Sequence, residues 1–233
     1  MTLRPLASHL IDKRRLVDGG EPDRPGITWH SPVLLVVGAL PVSSIPLHVS
    51  GLLDLRDLAV FAVVPAVLVV AFLLSRRTPE TRWALRGLLA GLVAVAAYDC
   101  LRLPLVWLGV MPDFIPRLGG WVSGQPGRNA LLGYLWRYAG DGGGIGMAYF
   151  TFCGVIRRFR PGLVDARPLV LSTLYGVGIW SGLLITAVAL PRGQEMMFEV
   201  TPSRLVATLA GHLVYGLILG LFLRRSVERT CVV

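Results

Sequence analysis

The chain has 233 residues, 54% of them hydrophobic and 16% charged, with a formal net charge of +9. A soluble domain carries about a quarter charged residues, so this composition excludes an ordinary water-exposed fold and points to lipid as the solvent. The positive charge does not point to nucleic acid, because the cations sit in short loops beside apolar runs, where they act as topology signals.

Residues 1–29 are polar and mixed in charge, and are predicted to form a cytoplasmic tail. Its stretch from Leu3 to Leu16 is amphipathic enough to lie on the membrane surface. No apolar run follows basic residues near the start, so no cleavable signal peptide is expected. Residues 30–224 are predicted to form the membrane bundle and 225–233 a second cytoplasmic tail. Residues 31–48 are apolar but carry Pro41 and Pro46, which suits a kinked helix or a re-entrant segment. Residues 58–74 form the next helix, entered from the Asp54–Asp57 turn and stopped by Arg76 and Arg77. Residues 86–110 follow, then a polar loop with Pro112, Pro116 and Pro126. Residues 132–156 run back to Arg157, Arg158 and Arg160. Residues 168–190, a loop, and residues 205–223, closed by Arg224 and Arg225, complete the pattern.

The expected fold class is therefore an all-α, polytopic integral membrane bundle of about six transmembrane helices in the inner or plasma membrane. Most of the 23 basic residues fall on one side of such a bundle, which sets both termini in the cytoplasm. The near-exclusive use of arginine over lysine reads as codon bias. Cys100, Cys153 and Cys231 are isolated, with no spacing that suits a disulfide framework. Neither a metal site nor another cofactor is expected.

The informative residues are the ionisable ones inside spans, because a charge facing lipid costs several kcal/mol. Counting from the bordering arginines at 1.5 Å per residue, Asp99 lies roughly 20 Å up its helix, Arg102 roughly 24 Å and His212 roughly 18 Å. On the same count Asp141 lies roughly 24 Å up and Arg137 roughly 30 Å. Two layers result, one joining Asp99 to His212 and one joining Arg102 to Asp141. Residues 99 and 102 share a helix face, as do 137 and 141. A closed ring of alternating charge in the outer half of the bundle is the expectation. The same ring could serve only as an ion-pair network that pins helix register.

Tyr98, Trp107, Trp136 and Tyr215 supply aromatic surface beside the charges, and Glu195 and Glu199 share a helix face in the last outer loop. The run from Gly140 to Gly146 lacks the Lys-Ser/Thr of a phosphate loop and reads as a locally thin or unwound helix. His48 should sit too far above His212 for a shared haem. Glycine pairs at helical spacing (140/144, 142/146, 178/182 and 216/220) predict tight packing within the bundle.

Together these residues outline an intramembrane pocket for a lipophilic small molecule, for example an isoprenoid. Asp99, Asp141 and His212 are its candidate catalytic groups, in acid–base chemistry of a cyclase or isomerase kind. Asp99 would act as the acid and His212, hydrogen-bonded to it, as the relay. Arg102, Arg137, Tyr98, Trp107, Trp136, Tyr215, Glu195 and Glu199 are its candidate binding groups. A proton-coupled small transporter or channel, and an accessory or assembly subunit of a membrane complex, remain open. Membrane lipids are the expected partners and nucleic acid is not; the oligomeric state is left open.

Overall fold

A computed structural model of the protein describes residues 28–231, so most of the expected N-terminal tail, including its amphipathic stretch, lies outside the described residues. Among the described residues there are helices and connections and no strand. We label them α1 (His30–Val49), α2 (Leu55–Ser75), α3 (Pro79–Trp107), α4 (Phe114–Ser123), α5 (130–159), α6 (Pro161–Ala166), α7 (Pro168–Ala189), α8 (Gly193–Met196) and α9 (Pro202–Cys231). Five of these, α1, α2, α3, α7 and α9, are long and apolar enough to cross a membrane.

The local sequence explains where helices begin. Thr78 caps α3 by accepting a hydrogen bond from the Thr81 N–H at 3.3 Å, with Pro79 in the first turn. Asn129 caps α5 the same way through the Leu132 N–H at 3.1 Å. The segment at 31–48 is one continuous helix despite Pro41 and Pro46. The last helix does not stop at Arg224 and Arg225 but runs on to Cys231, so the expected C-terminal tail continues it.

Burial runs opposite to a soluble protein. α2 is the most apolar helix, at a mean hydropathy of 2.8, yet only 11% of its apolar window is buried. Val60, Phe61, Val64, Leu68 and Phe72 all face outwards. In water such a patch would be an aggregation surface, whereas in lipid it is the expected exterior. These features make the chain a multi-pass membrane protein by length and composition of its helices.

The expected span at 132–156 is not among the five apolar helices. It is the most enclosed element instead. Every residue from 142 to 151 is buried, held between α1 and α3, while α9 packs on α3 and α7 packs on α9. A stretch enclosed in this way needs little greasy exterior, which explains its low hydropathy; Leu131, Leu135, Phe152 and Phe159 are large apolar side chains of this segment that stay exposed.

α5 is built from Ala130–Leu135, a π-helical stretch Trp136–Gly144, and Ile145–Phe159. The stretch expected to be thin is thus a helix with a wider turn, a form often found at functional sites. Its glycines let neighbouring backbones touch. A methyl group on Gly38 would meet the Gly144 carbonyl at 2.6 Å, and one on Gly91 would overlap the Gly142 carbonyl. Glycines 140, 142, 144, 146, 216 and 220 all pack closely inside the bundle. Gly178 and Gly182 do not, since a methyl group at either would meet nothing within 4 Å.

The two ends of the bundle differ. Leu34, Leu73, Ala84 and Met147 pack together near the arginine-rich end. Ile45, Val49, Leu55, Leu118, Trp136, Ala187 and Met196–Phe198 pack at the other, which we call the loop end.

Candidate functional site

Asp99 is only 2% exposed and stands at the centre of the charge cluster. Its Oδ1 accepts from Arg102 Nε at 3.0 Å, and from Arg137 Nε and Nη2 at 3.2 and 3.0 Å. Arg102 reaches back along its own helix, since three residues separate the pair. Arg137 comes from the π stretch of α5 and lays its guanidinium 4.5 Å over the Tyr98 ring. Two cations on one carboxylate oxygen form a charge-assisted clamp between α3 and α5.

The expected ring of alternating charge is not formed. Arg102 does not pair with Asp141; its Nη1 meets Asp113 Oδ1 at 3.5 Å and its Nη2 donates to the Tyr134 hydroxyl at 3.1 Å. The reason lies in the π stretch. A wider turn advances less per residue than an α turn, so Arg137 sits nearer the level of Asp99 than a count at α-helical rise predicts. Arg137 takes the carboxylate, and Arg102 turns towards the loop end. The carboxyl left over is Asp141, whose Oδ1 is buried without a hydrogen-bond partner. The Trp136 indole lies beside it without reaching hydrogen-bonding geometry.

His212 does not bond Asp99 either. Its Nδ1 lies 2.8 Å from the Thr208 carbonyl, and its ring meets Tyr98 edge-on with centroids 5.2 Å apart. A carbonyl can only accept, so Nδ1 carries the hydrogen. The rotamer that makes this bond turns Nδ1 back along its own helix and not towards the buried carboxylate. Tyr215 donates from its hydroxyl to the Gly142 carbonyl at 2.7 Å, joining α9 to the π stretch.

These groups border a cavity of about 360 Å³. Tyr98, Arg102, Arg137, Asp141, Thr208, His212 and Tyr215 supply its polar wall. α1 contributes Ala39, Val42, Ser43 and Pro46, and α7 contributes Ile179, Gly182, Leu183 and Thr186. Phe114, Ile115, Met197 and Phe198 close the loop end. Arg117 holds that cap by donating to the Glu195 and Met196 carbonyls at 3.0 and 3.1 Å, which ties α4 to α8. The chamber is apolar over most of its surface, with a few converging polar groups, as small-molecule sites generally are.

Of the sequence candidates, Asp99 lies behind Arg102 and Arg137 rather than in the wall. Trp107, Trp136, Glu195 and Glu199 lie outside the cavity. Trp107 is 81% exposed at the end of α3, where an aromatic suits the membrane interface. Trp136 packs in the loop-end cluster. Glu195 and Glu199 are exposed, and Glu199 pairs with Arg204 at 3.4 Å. The apolar Met197 and Phe198 between them turn inwards instead. His48 accepts from the Leu55 N–H at 3.1 Å and packs on Trp121, a local tie between α1 and α2.

Sequence reasoning missed Tyr134, Thr208 and the whole contribution of α1 and α7. The Met-Met-Phe run was the one available signal for the cap, since three large apolar residues seldom crowd a solvated loop. Among the described residues no group of three or more His, Cys, Asp or Glu could hold a metal ion. No family model matches the chain, and neither a curated protein nor a solved structure matches it.

Proposed function

We propose that the chain is a six-helix membrane enzyme, with both termini cytoplasmic, that takes a lipophilic molecule into the extracytoplasmic half of its bundle and acts on it by carboxylic-acid chemistry. α5 is the sixth crossing, and the arginine-rich end lies inside. The observation that carries this reading is the buried, unpartnered Asp141 Oδ1 beside a mostly apolar cavity. An unmet acceptor in such a place costs free energy unless an occupant satisfies it.

The roles divide by geometry. Asp99, gripped by two guanidiniums, is a positioning residue that fixes Arg102 and Arg137 in the wall. Asp141 is held by no ion pair and is the carboxyl available to exchange a proton with the occupant. In an isomerisation it would protonate one carbon of a double bond, the π electrons forming the new C–H bond. The resulting cation would lose a proton from a neighbouring carbon back to the Asp141 carboxylate. No oxidant, reductant or co-reactant is needed, and tyrosine rings in the wall favour the cation. A proton-carrier reading is less well supported, because the space nearer the arginine-rich end is bordered by no charged side chain or histidine.

Incubating membranes with polyprenyl alcohols and analysing the organic extract tests this. The wild type is expected to form a rearranged product, and Asp141→Asn to form it at least 100-fold more slowly, the range of a lost general acid. The variant should unfold at the wild-type temperature, since no hydrogen bond to Oδ1 is removed. No product from the wild type, or equal product from the variant, overturns the reading.

A further inference from the structure

A second cavity of about 570 Å³ lies towards the arginine-rich end, between α5, α6 and α7. Phe152, Ile156, Leu163, Leu171, Leu174 and Gly178 border it. Nothing in the proposed chemistry uses it. It adjoins the first chamber, because Tyr175 and Ile179 border both. The two spaces follow one face of α7, on which Gly178 faces the second and Gly182 the first. Side chains of any size at 178 or 182 would begin in open space. The wall behind is fixed, with Tyr149 and Tyr175 stacked at 4.4 Å and the Tyr149 hydroxyl 2.7 Å from Ser172 Oγ.

Resting on the reading above, we infer that the occupant is a single-chain amphiphile with a hydroxyl head, its head against Asp141 and its tail running along α7 into the second cavity. The head chemistry follows from what is unmet. The orphaned carboxylate atoms are acceptors, Asp141 Oδ1 at the wall and Asp99 Oδ2 behind it; the one orphaned donor beside them, Trp136 Nε1, lies outside the cavity. An anionic head would add another acceptor beside them, whereas a hydroxyl donates to Asp141 and accepts from Arg137. The tail chemistry follows from the lining, which offers a chain no charged group. Length follows from the helix: Leu171 and Thr186 mark the two ends of the combined groove, roughly 22 Å apart along α7 at 1.5 Å per residue. That is room for a long unbranched or prenyl chain and far more than a compact ring system needs.

Photo-crosslinking in nanodiscs tests it, with hexadecanol and octanol carrying a diazirine at the methyl end and the unlabelled alcohols as competitors. Hexadecanol is expected to label the peptides containing Phe152 and Leu174, and octanol those bordering the first chamber. Gly178→Phe and, separately, Leu174→Trp should weaken hexadecanol competition at least tenfold and leave octanol competition within twofold. Octanol retained in the same variants shows that the bundle is intact. If hexadecanol binds wild type and both variants alike, the tail lies elsewhere and this inference falls while the proposed function stands. If neither alcohol competes in the wild type, the proposed function itself fails. Loss of both alcohols from both variants contradicts a head site separate from the tail site and also overturns the inference.

Discussion

Replacing Asp99 by alanine is expected to destabilise the bundle by roughly 3–5 kcal/mol, the cost of leaving buried charge without its partner. Asp99 Oδ1 is the shared acceptor for Arg102 and Arg137. The two cations would not suffer equally. Arg102 keeps Asp113 and the Tyr134 hydroxyl, whereas Arg137 keeps the face of Tyr98 as its remaining named contact. Most of the loss should therefore be recovered in the double variant Asp99→Ala/Arg137→Leu, which removes the stranded charge as well. Thermal unfolding in detergent, followed by far-UV circular dichroism, measures both. A single variant as stable as wild type would show that the clamp is not buried from solvent.

Gly91→Ala is expected to cost roughly 3 kcal/mol, at the upper end of the usual overpacking range. The added methyl group would overlap the Gly142 carbonyl, which is backbone and cannot rotate away. α3 and α5 would have to separate, and this is the interface across which Arg137 reaches Asp99. A control is available on the open face: Gly178→Ala meets nothing within 4 Å and should change stability little. Urea titration of the three proteins in one detergent would compare them; equal midpoints for Gly91→Ala and wild type would contradict the packing described.

Most of the bundle was legible in the sequence because hydropathy reports which surface meets lipid. α2 and α7 are read correctly for that reason. The same signal fades for α5, which is enclosed by protein from residue 142 to 151, so length and bordering arginines had to stand in for it. The ionisable residues were recognisable singly, and the shared face of Asp99 and Arg102 follows from their spacing alone. Their partners across helices were not legible. Depths counted at α-helical rise cannot anticipate the π stretch Trp136–Gly144, which moves Arg137 to Asp99 and leaves Asp141 alone. Nor could spacing distinguish glycines 142 and 146, pressed against α3, from glycines 178 and 182, which border open space. That difference depends on helix rotation, which only the assembled neighbours fix. The inward turn of Met197 and Phe198, in place of Glu195 and Glu199, is the same kind of information.

On the reading proposed above, the chamber beside Arg137 and Asp141 holds a lipophilic guest. Gly182 borders it, and a side chain there would start with its Cβ clear of any neighbour within 4 Å and extend into the space. The most direct measurement is mass spectrometry of the organic extract from protein purified out of its own membranes, wild type beside Gly182→Phe. A molecule bearing one hydroxyl group, present at about one per chain in wild type and at least tenfold depleted in the folded variant, is the predicted result. Identical extracts from the two proteins would mean that the chamber holds no such guest.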